Sequence, residues 1–422
     1  MKRILWAKLP IGAAMLTAAA AWELGTAGSA WAQQPYPPPP PVVVAPAPEA
    51  PASTAMAAPS MTGPLVANPN PYSFDDPFGY LGKIYVTGAL TGLALVQSNP
   101  VPGDHLFRGD ASNAQLIVQK PEGLFQFYVQ AGMYSFPTLG TPYVSAWRTT
   151  GDTFTPLPVA YAKLAPTDEF SIQAGKLPTL IGAEYAFTFQ NMNIERGLLW
   201  NQEPIISRGV QANYTLGPLA FSASLNDGFY SDSYNWLTGS AAWTINKENT
   251  LTVVGGGNFD HTDKNAVSTT LPATVKTPFF QNNGSIFNII YTYNAAPWTI
   301  TPYFQYTTVP RNLFLGTTKG AETYGGAILA NYAVNDNVNV AGRAEYISSS
   351  GSLASGSANV LYGPGSSAWS LTFTPTYQEG IYFLREEVSF VQANSTTPGL
   401  AFGKSGGSHS QARVLLEAGI IF

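Results

Sequence analysis

The chain has 422 residues, only 11% of them charged against roughly 25% in an ordinary soluble domain, yet its mean hydropathy is just +0.01 because Gly, Ser, Thr, Asn and Gln fill the remainder. No apolar run of about 18 residues follows the first thirty or so positions, which argues against a helical membrane protein. A net charge of −5 excludes a generic nucleic-acid binder, and without cysteine there is no disulfide framework.

At the amino terminus Lys2, Arg3 and Lys8 flank an apolar stretch from Leu9 to Ala21, and Ala30 and Ala32 give the A-x-A spacing for cleavage before Gln33. Residues 1–32 read as a secretory signal peptide, since the apolar part is short and Glu23 interrupts its continuation. Cleavage removes three basic residues and Glu23, a net +2, so the mature chain carries −7. Residues 33–78 are dense in Pro and Ala and read as a disordered, polyproline-like periplasmic leader. It is either a plain spacer or a tether to the cell wall or a periplasmic partner.

From residue 79 to 422 the pattern is one of strands. After an opening strand KIYVTGALTGLALV, the stretch LFQFYVQAGMYS places Phe125, Phe127, Val129, Ala131 and Met133 on one face and Gln126, Tyr128, Gln130 and Gly132 on the other. The preceding ASNAQLIVQK alternates likewise, and a short turn around Pro121 and Gly123 makes the two a hairpin. Six more hairpins follow, turning at APTDE, Gly217 and Pro218, NKEN, NAAP, VNDN and QEG. The chain closes on ARVLLEAGIIF, for about sixteen strands in all.

Between hairpins lie long Pro-, Gly- and Ser-rich segments, so short turns fall at one end and long loops at the other. The fold class expected is all-β, a transmembrane antiparallel up-and-down β-barrel of about sixteen strands, apolar outside and polar inside. A soluble sandwich or propeller would show more surface charge. A spanning sheet must close to leave no backbone donor in lipid, so the last strand pairs with the first. Phe422, Ile420, Ala418, Leu416 and Val414 form the alternate apolar series, ending on Phe, that outer-membrane assembly machinery reads as a sorting signal.

The stretch IQAGKLPTLIGAEYAFTFQNMNIERGLLWNQEPIISRGVQANYTLG resembles the β-barrel porin-2, OmpL-like family, which carries in order a Gly-Lys segment, a G-x-E, Asn residues and a P-x-x-x-x-G-V strand. Here these are Gly175 and Lys176, Gly182 and Glu184, Asn191 and Asn193, and Pro204 leading to Gly209 and Val210. GRAEY and FLREEVSF are similar to that family's late strands, where an Arg and an acidic residue share the inner face. The resemblance implies an outer-membrane diffusion channel with loosely defined substrates and supplies no catalytic residue.

Parity gives the candidate pore lining. Arg343 with Glu345, Arg385 with Glu387, and Arg413 with Glu417 fall inward, a ladder that would either set a transverse field on solutes or merely tie strands together. The segment from Pro178 to Ser207 is expected to fold into the barrel, with Glu184, Glu195 and Arg196 at a constriction, or else to cap the outside. Tyr128, Tyr303 and Tyr324 have inward parity, whereas Tyr85, Trp243, Trp298 and Trp369 suit interfacial girdles. His105, His261 and His409 fall in loops without metal spacing or a nucleophile motif, so no enzyme, metal or cofactor is expected.

The function expected is a water-filled porin for small hydrophilic solutes or ions; the alternative is a structural or adhesive barrel with a blocked lumen. Expected partners are outer-membrane lipid and lipopolysaccharide, the barrel assembly machinery, small solutes, and further copies in a homotrimer.

Overall fold

The computed structural model describes residues 61, 63–76, 79, 82–262, 279–313 and 317–422. The signal peptide expected over 1–32 and the leader as far as residue 60 lie outside them. The strands are β1 (Tyr72–Asp75), β2 (Lys83–Gln97), β3 (Phe107–Lys120), β4 (Phe125–Tyr134), β5 (Val159–Leu164), β6 (Phe170–Pro178), β7 (Ile206–Leu216), β8 (Leu219–Asn226) and β9 (Trp236–Thr244). They continue with β10 (Asn249–Asn258), β11 (Ser285–Ala295), β12 (Trp298–Val309), β13 (Ala321–Ala333), β14 (Val338–Ser349), β15 (Ser367–Glu379), β16 (Tyr382–Asn394) and β17 (Ser410–Ile421). A short helix, α1 (Ala146–Asp152), lies between β4 and β5.

Sixteen strands, β2 to β17, each pair antiparallel with the next, and β17 closes onto β2 with Arg413 opposite Gln97 and Ile421 opposite Ala89. Closure leaves no unpaired edge to face lipid. Seven connections are short turns of two to five residues, and the other end carries the long loops, as the hairpin pattern implied.

Outward positions on the late strands are apolar and exposed, among them Leu384, Val388, Val414 and Leu416, while Arg385, Glu387, Arg413 and Glu417 between them are buried inside. Phe422 is exposed on the same outer face and exchanges backbone hydrogen bonds with Gly88 at 2.8 and 3.0 Å. Tyr128 and Tyr303 point inward, but Tyr324 is 53% exposed on the outer face, against the inward parity expected of it. It lies on β13 one residue along from the buried Thr323, so a count off by a single residue reversed its side.

The span expected to be a disordered leader includes a strand. β1 pairs with the first residues of β2, Tyr72 opposite Val86 and Asp75 opposite Lys83, in the lane that β17 vacates at Phe422. Its apolar members Tyr72 and Phe74 alternate with polar ones, a pattern too short to register among the surrounding prolines.

Candidate lumen-loop site

β6 ends at Pro178 and β7 begins at Ile206; the connection, residues 179–205, turns inward. Gly175, three residues before the end of β6, has a φ of +142°, where a Cβ would overlap the Ala160 carbonyl of the neighbouring strand. Fourteen consecutive loop residues, 187–200, are buried although they include two Asn, a Gln, a Thr, a Glu and an Arg. Buried polar groups need partners, and here the barrel wall supplies them.

The wall arginines bind loop carbonyls. Arg385 donates to the oxygens of Thr188, Asn191 and Met192 at 3.1, 3.0 and 3.0 Å, Arg343 to that of Glu195 at 2.7 Å, and Arg413 to that of Thr138 in the β4–β5 loop at 2.9 Å. The wall glutamates accept loop amides: Glu387 from Ile194 at 2.5 Å and Glu195 at 3.0 Å, and Glu345 from Leu198 at 3.0 Å. Charged donors and acceptors make these bonds roughly twice as strong as neutral ones, which offsets the cost of taking the charges out of water.

Side-chain pairs complete the clamp. Arg343 bridges Glu184 at 2.6 Å, Arg413 bridges Glu195 at 2.6 Å, and Arg385 bridges Glu417 on β17 at 3.4 Å. Arg343 also lies 3.3 Å from Glu345 on its own strand. Thr188 donates to Glu417 and receives Asn113 at 2.7 Å, Asn193 donates to Thr374 at 2.7 Å, and Thr323 donates to Gln202. The Arg196 side chain has no hydrogen-bond partner among the described residues; its guanidinium stacks 5.3 Å from Trp200 and 5.9 Å from Phe136.

All nine candidate lining residues meet in this layer, but they are not solvated as expected. Glu184, Glu195, Arg196, Arg343, Glu345, Arg385, Glu387, Arg413 and Glu417 are each 5% exposed or less. The loop covers them, and parity along a strand carries no information on what lies over its inner face. Beside the charges, Leu198 and Leu199 pack with the inward Ala327, Leu329, Ala341 and Val391, so this sector of the lumen holds an apolar core.

The sequence reading did not single out Thr188, Gln202 and Glu203. Glu203 is buried with neither carboxylate oxygen hydrogen-bonded, against Gly182, where a Cβ would overlap that carboxylate. Burial first, and then the charges of Glu184 and Glu345, push its pKa well above the ordinary glutamate value. The only signal available was its place inside the G-x-E to Pro204 stretch.

On the opposite side the lumen is different. The inward residues of β6 to β11 are small or uncharged, including Gln173, Asn213, Ser222, Ser240, Thr252 and Thr292, and all of these are partly exposed. A cavity of about 110 Å³ separates the loop from β4 and β5, lined by Tyr128, Gln130, Tyr161, Tyr185, Gln190 and Trp200 among others. Tyr128 and Tyr161 stack there with ring centroids 5.5 Å apart.

A closed sixteen-stranded barrel with an apolar outer belt and a long loop folded into its lumen defines a porin-type outer-membrane channel. The family model described as "Putative beta-barrel porin-2, OmpL-like" matches residues 83–422, and the chain belongs to that family. No curated protein matches the sequence. Among solved structures the barrel is similar to OmpT of Vibrio cholerae, at 12% identity and a TM-score of 0.54 over 81% of this chain and 98% of that one. It is similar to the outer-membrane channel DcaP of Acinetobacter baumannii, at 12% identity and a TM-score of 0.54 over 80% and 97% of the chains. The anion-selective porin from Comamonas acidovorans matches at 12% identity and a TM-score of 0.53 over 80% and 99%. The protein is thus an outer-membrane porin, a channel through which small solutes pass.

Proposed function

We propose that the barrel is a passive diffusion channel for small hydrophilic solutes or ions and that residues 179–205 set its opening, with Glu184, Glu195 and Arg196 and the wall charges Arg343, Glu345, Arg385, Glu387, Arg413 and Glu417 acting at the constriction by holding the loop in place. The observation that carries this is the run of buried loop residues fixed to three wall arginines and three wall glutamates inside the lumen. The remaining path runs along β6 to β11, where the inward lining is polar and uncharged, with Gln173, Asn213, Ser222, Ser240, Thr252 and Thr292 partly exposed.

The reading includes no catalytic step and no cofactor. The signal peptide over 1–32 is cleaved on export, the assembly machinery reads the terminal series ending at Phe422, lipopolysaccharide contacts the outer belt, and the chain forms trimers. The same run of buried residues favours a second reading, the structural or adhesive barrel with a blocked lumen.

Single-channel conductance in a planar bilayer separates the two. The mature chain gives discrete steps and deletion of residues 186–202 enlarges them if the loop sets the opening; silence from both folded proteins would leave the blocked barrel.

A further inference from the structure

The segment just before β1 does not stay outside the barrel. Val66 exchanges two hydrogen bonds with the Gln378 side chain at the β15–β16 turn, 2.7 Å from its amide and 2.8 Å to its carbonyl. From there the chain, read backwards, enters the lumen at the short-turn end. Leu65 is 2% exposed, in the cluster that holds Ala89, Phe383 and Ile421 from the wall and Phe187 and Phe189 from the lumen loop. Pro64 is buried, and Met61 packs on the same cluster.

Gly63 then abuts the lumen loop itself. A Cβ at this position would overlap the carbonyl of Asn191, the oxygen that Arg385 holds at 3.0 Å. Only glycine lets the leader reach the backbone that the wall clamps. Three independent contacts therefore seat this segment: amide pairing at the rim, an apolar side chain in the mouth, and a close approach to the loop.

We propose that residues 63–66 are a built-in plug, a part of the N-terminal leader that enters the barrel from its short-turn mouth, seats on Asn191 and keeps the lumen loop in its closed position. Drawing residues 63–66 out through the short-turn mouth unseats the plug and opens the channel. The proposal rests on reading the barrel as a channel.

The test is conductance of the mature chain in planar bilayers beside two altered forms. Deletion of residues 33–66, which keeps β1, is expected to raise conductance or open time at least twofold. Gly63→Leu with Leu65→Asp, which leaves the chain length intact, should act in the same direction and covers a deletion that fails to fold. If the folded plug variants conduct like the intact chain while the lumen-loop deletion still enlarges the steps, the plug is overturned and the channel reading stands. If no form conducts, the channel reading itself fails.

Discussion

The inner walls of β6–β11 and β13–β17 are built on the same alternation and end differently. In β13–β17 the buried inward side chains include Arg343, Glu345, Arg385, Glu387, Arg413 and Glu417, set among Ala, Leu and Val and the Ser and Thr residues of β15. In β6–β11 many are Ser, Thr, Asn and Gln, which bond one another along the wall, as Asn213 does with Gln211 at 2.7 Å and Ser222 at 2.8 Å, and several, Asn213 and Ser222 among them, remain partly exposed. A wall that satisfies its own polar groups has nothing to offer a loop, whereas long cations and anions with spare bonding capacity recruit backbone to cover them. Side-chain reach and charge, rather than strand pattern, divide the lumen into a packed side and a wet side.

Breaking the packed side should give the largest effect. Arg385→Met takes its cation from Glu417 and the guanidinium donor from the carbonyls of Thr188, Asn191 and Met192. Removing one partner of a buried ion pair costs roughly 3–5 kcal/mol. We expect a marked loss in thermal stability with larger and noisier conductance steps; a quiet channel of unchanged size would mean that Arg385 does not hold the loop.

Next comes the contrast between outer and inner faces. Val388, exposed on the outer face in the middle of β16, changed to Arg places a charge in lipid at about 2–4 kcal/mol near the midplane. Ser222→Arg puts the same side chain into the partly exposed lumen of the wet sector and should fold as well as wild type. Refolding yield into lipid vesicles checks the pair, and equal yields would contradict the assigned faces.

The smallest effect concerns pH. Glu203 sits in the packed side with a raised pKa, facing Glu184, Glu345 and Tyr303. A carboxyl whose folded-state pKa is raised favours the seated loop when protonated. That contribution is fully present below the ordinary glutamate value of about 4.3 and is lost as pH rises through the raised value. Open time should therefore rise with pH across that window, and Glu203→Gln should flatten the rise; a profile unchanged by the substitution would remove Glu203 from the cause.

Much of the fold was legible because each strand reports on itself. Alternation along each strand, over as few as six residues in β5, short turns between paired strands and the apolar series ending at Phe422 locate the barrel strands and their lipid faces. Arg343, Arg385 and Arg413 could be placed inward from parity alone. Their partners could not: Arg385 contacts residues almost two hundred positions earlier in the chain, and no local period encodes such a meeting.

The sequence by itself determined the closed barrel, its outer belt, its two unlike ends and the inward direction of its charges, since each follows from the period of two and from the need to pair every backbone group in lipid. Only the tertiary structure decided that those charges are sealed, that residues 179–205 fill one side of the lumen, and that residues 63–66 seat beneath them. Burial depends on what covers a surface, and the covering segments come from elsewhere in the chain.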